Sequence, residues 1–267
     1  MYGRLPIVKM LGTTVGLTIV TSLIMVPIRW NGQSASTQRE SIDLLLDVMI
    51  VLSAFVFWLV MVMLFYALYR FRAKPGDESD GEPIHGNTRL EIAWTVIPTV
   101  IVLFGAAYSW IVLDDIEAYE ADRMVVDVYS QQYAWNFTYT DEGKYSRGEL
   151  HVPVDRQIEF KMHALDVIHS FWVPEWGIKK DNVPGLTTRA IINPNVEGNY
   201  QLICTELCGF GHSTMRAEVI VESQEEFDKW VATQDAPPAE FQGDGGGTEP
   251  VDTEPAPEDQ SARVAGA

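Results

Sequence analysis

Cysteine and positive charge are both scarce in this chain of 267 residues. It has 19 lysine and arginine residues against 37 aspartate and glutamate residues, and its formal net charge is −18. This balance argues against binding to nucleic acid, because phosphates are neutralised by lysine and arginine. The acidic residues are spread over loops, strands and the C-terminal part of the chain. The excess of acid fits either a cationic partner or a surface kept hydrated in concentrated salt, and its even spread favours the second, as in a halophile.

The two cysteines, Cys204 and Cys208, lie four positions apart. In an exported domain, the default interpretation of a cysteine pair is a disulfide. Their spacing permits such a bridge, so the neighbouring residues must decide between a disulfide and a metal site.

Long apolar runs without charge are confined to the first part of the chain. Two of them, residues 48–69 and 92–113, are long enough to cross the roughly 30 Å hydrocarbon core of a bilayer as helices. We therefore predict transmembrane helices over residues 42–70 and 90–114, joined by a loop over 71–89.

The basic residues near the ends of these helices are concentrated in the loop between them: Arg70, Arg72, Lys74 and Arg89. Such loops face the cytoplasm. The chain after Asp114 is then external, and the protein is a multi-pass protein of the cell membrane.

Residues 1–30 fit two interpretations. Arg4 and Lys9 precede an apolar run over residues 11–28, which is followed by the small and polar sequence NGQSAS. This pattern favours a cleaved signal peptide, with a mature chain that begins within residues 30–40. A retained extra N-terminal helix is the alternative.

Short β-branched and aromatic runs follow, separated by turn residues, which predicts an antiparallel sandwich or barrel. The predicted domain covers residues 122–234. It ends in a short helix, because Ser223 and Glu226 have the spacing of a capping box. Glycine, proline and acidic residues dominate positions 235–267, which predicts a disordered acidic tail.

Four potential soft or borderline metal ligands fall in one loop, Cys204-Thr-Glu-Leu-Cys208-Gly-Phe-Gly-His212-Ser-Thr-Met215. A disulfide leaves His212 and Met215 unexplained, and a structural zinc site has no use for a methionine. Copper binds thiolates, imidazoles and a weak thioether together. A mononuclear blue-copper site needs one cysteine, so the second suggests two metals that share two thiolates.

Each copper then needs an imidazole, and one of the two must come from outside this loop. The candidates are His151, His163 and His169. His169 stands out by its context in DVIHSFWVP, although spacing alone hardly separates it from His163.

The motif CTELCGFGHSTM closely resembles the binuclear CuA signature of cytochrome c oxidase subunit II. The segments DVIHSFWVP, EIAWTVIP and WGIKKDNVPG resemble further parts of that family, in the same order, from about residue 42 to 234. The resemblance implies a two-helix transmembrane hairpin followed by an all-β, cupredoxin-like external domain, a Greek-key sandwich.

The resemblance also implies a set of copper ligands: His169, Cys204, the backbone carbonyl of Glu206, Cys208, His212 and Met215. In the family, the glutamate matching Glu206 contacts a magnesium ion at the border with subunit I. The glutamate matching Glu91 stands at the entrance of a proton path into that subunit. The implied function is electron transfer to haem in subunit I, where dioxygen is reduced to water with proton translocation; subunit III is a further expected partner.

One departure concerns the electron donor. The family's aromatic stretch reads Gln-Trp-Tyr-Trp, and its first tryptophan receives electrons from cytochrome c. Here the stretch is Gln132-Tyr133-Ala134-Trp135. Tyr133 and Trp135 are therefore the candidates for the point where electrons enter, and the donor is either cytochrome c or a small blue copper protein.

Overall fold

The computed structural model describes residues 6–28, 30, 32–73, 75–76, 83 and 85–242. These residues divide into two compact units. The first takes the chain up to Ser34 together with Gln38–Ala118, and the second takes Ala35–Thr37 together with the chain from Tyr119 onward. Arg4, Lys74 and the tail from residue 243 lie outside the described residues.

The first unit consists of helices α1 (Ile7–Met25), α2 (Thr37–Arg70) and α3 (Thr88–Glu117). Among the described residues, all 3 are long and apolar enough to cross a membrane. The predicted transmembrane helices lie within α2 and α3, each of which extends beyond the predicted bounds. A hairpin of two helices is therefore an incomplete description, because α1 has the same character.

Several polar side chains within these apolar helices make hydrogen bonds inside the first unit. The Trp58 indole of α2 donates to the Thr21 hydroxyl of α1 at 2.8 Å. Thr18 donates to the Thr14 carbonyl at 2.8 Å. A hydrogen bond between helices satisfies a donor that lipid cannot satisfy, so α1 and α2 are specifically paired.

Helix α3 begins with a local cap. Asn87 accepts from the Leu90 N–H at 3.3 Å, and the Glu91 carboxylate accepts from the Asn87 N–H at 3.0 Å. Both bonds satisfy groups that the first turn of a helix leaves free.

The second unit is a sandwich of two five-stranded sheets. In chain order the strands are β1 (Met124–Gln131), β2 (Ala134–Tyr139), β3 (Lys144–Arg147), β4 (Glu149–Pro153), β5 (Ile158–Ala164), β6 (His169–Trp172), β7 (Lys179–Asn182), β8 (Thr188–Ile192), β9 (Gly198–Cys204) and β10 (Arg216–Glu222). One sheet has the order β3-β2-β1-β5-β8, and the other has the order β4-β10-β9-β6-β7.

The sandwich is not purely antiparallel. Strand β1 pairs with β5 in parallel, and β10 pairs with β4 in parallel, while the other pairings are antiparallel. The predicted all-β sandwich is confirmed, but the parallel pairs were missed because they join strands that are distant in the chain. The core between the sheets is aromatic, with Trp135, Phe160, Phe171 and Trp176 all buried.

Helix α4 (Gln224–Ala232) follows β10 and begins with the predicted capping box. The Ser223 hydroxyl accepts from the Glu226 N–H, and the Glu226 carboxylate accepts from the Ser223 N–H. On its apolar face, Phe227 and Trp230 pack against Tyr139 of β2.

The prediction of disorder from residue 235 is wrong for residues 235–242. Asp235 accepts from the Tyr145 N–H at 3.0 Å. Phe241 is only 2% exposed and stacks on Tyr145, and its carbonyl accepts from the Thr138 hydroxyl. Composition could not predict this contact, because a single phenylalanine hardly changes the average hydrophobicity of residues 235–267.

Residues Ala35–Thr37, just before and at the start of α2, form part of the second unit. Ala35 donates to the Glu175 carbonyl, and Thr37 donates to the Asn193 carbonyl. The Ser36 hydroxyl donates to the Trp176 carbonyl at 2.9 Å, and Ser36 forms an isolated bridge with Pro194. Nothing in the local sequence predicted this connection.

Candidate metal centre

Two neighbouring strands and the loop that follows one of them position the candidate ligands. Strand β9 ends at Cys204, and its antiparallel neighbour β6 begins at His169. In this register Phe171 lies opposite Cys204. The Thr205 N–H donates to the Ser170 carbonyl at 3.1 Å, so the start of the copper loop, residues 204–215, is held against β6.

The two thiols lie between two imidazole rings. The Sγ atoms of Cys204 and Cys208 are 3.8 Å apart. The His169 Nδ1 is 3.9 Å from the Cys204 Sγ, and the His212 Nδ1 is 3.6 Å from the Cys208 Sγ. A disulfide has an S–S distance of about 2 Å. Both cysteines are free, and both thiols are therefore available as metal ligands.

Two weaker donors complete the set. The Met215 Sδ lies 3.8 Å from the Cys208 Sγ, and the Glu206 carbonyl oxygen lies 3.4 Å from the Cys204 Sγ. The Cys204 N–H donates to the Met215 carbonyl at 3.1 Å, which closes the base of the copper loop. Met215 is fully buried, whereas the Glu206 side chain is exposed, so Glu206 offers only its backbone to this centre.

His169 is oriented by a hydrogen bond on the far side of its ring. Its Nε2 lies 2.8 Å from the Asp166 Oδ1, which leaves Nδ1 on the side of Cys204. Histidines that bind metals commonly bond a carboxylate through the other ring nitrogen. The His169 side chain is completely buried, so its orientation is fixed.

The other two candidate histidines are engaged elsewhere. His163 bonds Asp127 at 2.9 Å and stacks on Tyr129. His151 bonds Glu222 at 2.8 Å and stacks on Trp230. The structure therefore brings His169, rather than either of them, to the cysteines.

The electrostatics of the site favour one thiolate even without a metal. Burial opposes ionisation of Cys204, but hydrogen bonds from His169, Ser170 and Glu206 outweigh it and lower the pKa of Cys204. Burial and the negative charge of Cys204 raise the pKa of Cys208. Two adjacent thiolates repel each other, so a cation between them is needed to ionise both.

The pKa values of His169 and Asp166 also reflect their mutual bond. Burial disfavours the charged form of His169, but bonds to Cys204 and Asp166 outweigh it, and its pKa is raised. For Asp166, burial is outweighed by bonds from His169, Gln132 and Val167, which lower its pKa.

The donor set fits copper. The ligand atoms of His169, Cys204 and Cys208 all lie within 4.8 Å of one another. Thiolate and thioether sulfurs are soft donors, and together with imidazoles they match the preference of copper. A structural zinc site would leave the thioether of Met215 without a role.

Comparison with known proteins agrees with this chemistry. The family described as "Cytochrome C oxidase subunit II, transmembrane domain" matches residues 26–112, and "Cytochrome C oxidase subunit II, periplasmic domain" matches residues 145–223. Cytochrome c oxidase subunit 2 of Synechocystis sp. is 34% identical over 87% of this chain and 86% of that protein. The chain belongs to the cytochrome c oxidase subunit II family.

Other relatives extend the comparison. Cytochrome c oxidase subunit 2 of Thermostichus vulcanus is 32% identical over 74% of this chain and 76% of its own length. The crystal structure of the periplasmic domain of subunit II from Bradyrhizobium japonicum is 28% identical, with a TM-score of 0.42, over 43% of this chain and 95% of that one. As a member of the family, the protein is a component of a haem–copper terminal oxidase, with subunit I as its partner in the membrane.

The two predicted points of electron entrance in this subunit II differ in exposure. Tyr133 is 40% exposed, whereas Trp135 is fully buried. The Trp135 ring centre lies 6.3 Å from that of His169. Only Tyr133 is accessible to an external donor, and Trp135 packs behind a candidate ligand.

Two residues near the metal centre were missed as individual functional residues. Asp166 holds the His169 ring, and Gln132 donates to both Asp166 and the Cys208 carbonyl. The only signal for Asp166 was its place three positions before His169, and Gln132 was noted only as a letter of the aromatic stretch. Glu91, in contrast, lies in the first unit and caps α3.

Proposed function

We propose that this subunit II receives single electrons at a binuclear CuA centre on the outer face of the cell membrane. The electrons pass to haem in subunit I, where dioxygen is reduced to water with proton translocation. The observation that carries the proposal is the pair of buried thiols, 3.8 Å apart, with an imidazole nitrogen beside each. Cys204 and Cys208 would hold two copper ions, which when bound would supply a site that takes up a single electron.

The proposed ligands come from three parts of the fold: His169 of β6, Cys204 of β9, and the Glu206 carbonyl, Cys208, His212 and Met215 of the copper loop. The role of the surrounding protein is to hold them still. Backbone bonds from Cys204 to Met215 and from Thr205 to Ser170 close the loop on the sandwich. A rigid ligand set limits rearrangement on electron transfer.

The exposed residues around the centre provide a surface for the donor. Tyr133 is 40% exposed and lies against Gly209 and Gly211 of the copper loop. The copper loop and the segment before β6 expose the apolar residues Leu165, Val167, Ile168, Leu207 and Phe210. Phe210 is the most exposed of them. This surface suits a soluble redox protein with an apolar patch, either cytochrome c or a small blue copper protein.

Glu91 is proposed as the entrance of a proton path into subunit I, on the cytoplasmic side. The exposed Glu206 side chain is proposed as a ligand to magnesium shared with subunit I. Both proposals rest on the resemblance of these positions to the family pattern. Subunit III is a further proposed partner, and α2 and α3 are proposed to span the membrane as parts of a multi-pass anchor.

The decisive experiment replaces Cys204 or Cys208 by serine in the assembled oxidase. We expect the wild type to contain two coppers in this subunit and to show a mixed-valence spectrum, and each variant to lose that spectrum and turnover with the native donor. Ser213→Ala, an exposed change in the same loop, is the matched control and should keep both. Full turnover by Cys208→Ser, without copper in this subunit, would refute the proposal.

A further inference from the structure

The turn between β1 and β2, Gln132–Tyr133, lies directly on the copper loop. The Gln132 Nε2 donates to the carbonyl oxygen of Cys208 at 2.5 Å. This carbonyl belongs to the peptide that leads out of a candidate thiolate ligand. Its direction is therefore set by a side chain from the opposite sheet of the sandwich.

The same residue also contacts the other end of the centre. The Gln132 backbone N–H donates to the Asp166 Oδ2 at 2.7 Å, and the Asp166 Oδ1 bonds the His169 ring at 2.8 Å. Gln132 thus bonds Cys208 directly and is linked to His169 through the carboxylate of Asp166.

Tyr133 covers the part of the copper loop that follows Cys208. A methyl group added at Gly211 would lie 2.6 Å from the Tyr133 Cδ2, and one added at Gly209 would lie 2.7 Å from its hydroxyl. Such distances are far inside van der Waals contact, so the approach depends on the missing side chains. Gly209 also has φ +128°, a conformation that favours glycine, whereas Gly211 has φ −88°, which any residue can adopt.

We propose that the Gln132–Tyr133 turn is a clamp on the copper loop, in which Gln132 is a positioning residue for both ends of the metal centre. Hydrogen-bond partners of ligands orient them and tune the metal, and their loss typically costs about 10–100-fold in metal affinity. The proposal rests on the proposed copper function. The new point is that the Gln132–Tyr133 turn both positions the ligands, through Gln132, and forms part of the surface offered to the donor, through Tyr133.

The first experiment is Gln132→Met in the assembled oxidase, which keeps the length of the side chain and removes the donor to Cys208. The matched control is Gln131→Met, one position earlier in β1, whose side chain makes no hydrogen bond to the copper loop among the described residues. We expect Gln132→Met to lower the copper affinity of the subunit about tenfold, as measured by competition with a chelator, and to shift the midpoint potential of the centre. Gln131→Met should match the wild type in both.

The second experiment is a double-mutant cycle that does not depend on the stability of one variant. In Gly211→Ala the new methyl group collides with Tyr133, so copper affinity should fall about tenfold although the backbone accepts alanine. In the Tyr133→Ala background the collision is absent, and the same change should cost less than about twofold.

The outcomes separate this proposal from the copper function itself. If the wild-type subunit does not hold two coppers, the proposed function fails. If it does, but Gln132→Met behaves as Gln131→Met and the Gly211 and Tyr133 changes are additive, the clamp is refuted. A tenfold loss confined to Gln132→Met, with strong coupling in the cycle, supports it.

Discussion

The candidate ligands are held by groups that do not themselves touch a metal. Asp166 holds His169 through its ring nitrogen, and Gln132 holds the carbonyl of Cys208. Both are short hydrogen bonds that involve either a charged or a buried partner, and such bonds are among the stronger ones in proteins. At the scale of residues, the geometry of the centre therefore depends as much on these neighbours as on the ligands.

Met215→Leu should keep both coppers and shift the midpoint potential of the centre. Leucine fills nearly the same buried volume, so packing costs less than about 1.5 kcal/mol, while the weak thioether donor is lost. Metal analysis and potentiometric titration of the purified oxidase check this. Loss of a copper would show that Met215 is a strong ligand.

Glu91→Gln separates the two roles that this residue can have. The glutamine oxygen still accepts from the Asn87 N–H, so the cap of α3 remains. A glutamine carries no titratable proton, so proton uptake and turnover should slow while copper content and spectrum stay as in the wild type. Unchanged steady-state turnover would show that Glu91 caps α3 and has no role in proton uptake.

The elements of the fold differ in how far local patterns determine them. Helices α2 and α3 follow from long apolar runs, and helix α4 follows from its capping box. The segment 235–242 and the segment Ala35–Thr37 are instead tied to partners in the sandwich that lie far away in the chain. One prediction below tests the segment 235–242, and another concerns helix α1.

Phe241→Ala should destabilise the external domain by about 3 kcal/mol, because the ring is buried against Tyr129 and Tyr145. The temperature at which the copper absorbance is lost should fall by several degrees. Leu186→Ala, which removes a side chain that is 50% exposed, is the control and should have little effect. Equal melting of the two variants would mean that segment 235–242 adds no stability.

Helix α1 is expected to remain in the mature subunit, which is the less favoured of the two interpretations of its sequence. The reason is the bond from Trp58 to Thr21, since removal of α1 would leave this indole N–H unpaired among apolar side chains. The intact mass of the purified subunit should include residues 7–25. A mature chain that begins anywhere within residues 30–40 would contradict this prediction. A start beyond Ala35 would in addition remove hydrogen bonds that Ala35–Thr37 make to the sandwich.

The excess of acid belongs to the molecule as a whole. In dilute salt, a net charge of −18 attracts a basic donor from a distance. At about 1 M salt the Debye length is about 3 Å, so charges act only on contact. If the acid serves hydration in a halophile, docking depends on the apolar surface around Tyr133.

Tyr133→Ala should therefore slow copper reduction by the native donor several-fold. Because Gln132 still bonds the Cys208 carbonyl, the subunits that hold both coppers should keep the wild-type spectrum. Tyr119→Ala, an equally drastic change at another exposed tyrosine of this unit, is the control. For the wild type, the rate should stay nearly constant as salt rises from about 0.1 M to above 2 M. A steep fall in that rate, with the protein still folded, would show that the acid serves docking.

The sequence by itself determined what is encoded within short stretches of the chain. The charge-free runs specify α2 and α3, and the loop from Cys204 to Met215 carries most of the donor set in one segment. These inferences succeed because neighbouring residues constrain one another through the chain itself.

Only the tertiary structure decided what depends on residues far apart in the chain. Spacing alone hardly separated His169 from His163, although the family resemblance implied His169; the register of β6 on β9 brings the His169 ring to the cysteines, and hydrogen bonds hold His163 and His151 elsewhere. The tertiary structure also brought Gln132, from the other sheet, onto the Cys208 carbonyl. Strand register and packing between sheets set these contacts, and neither is visible in the spacing of residues along the sequence.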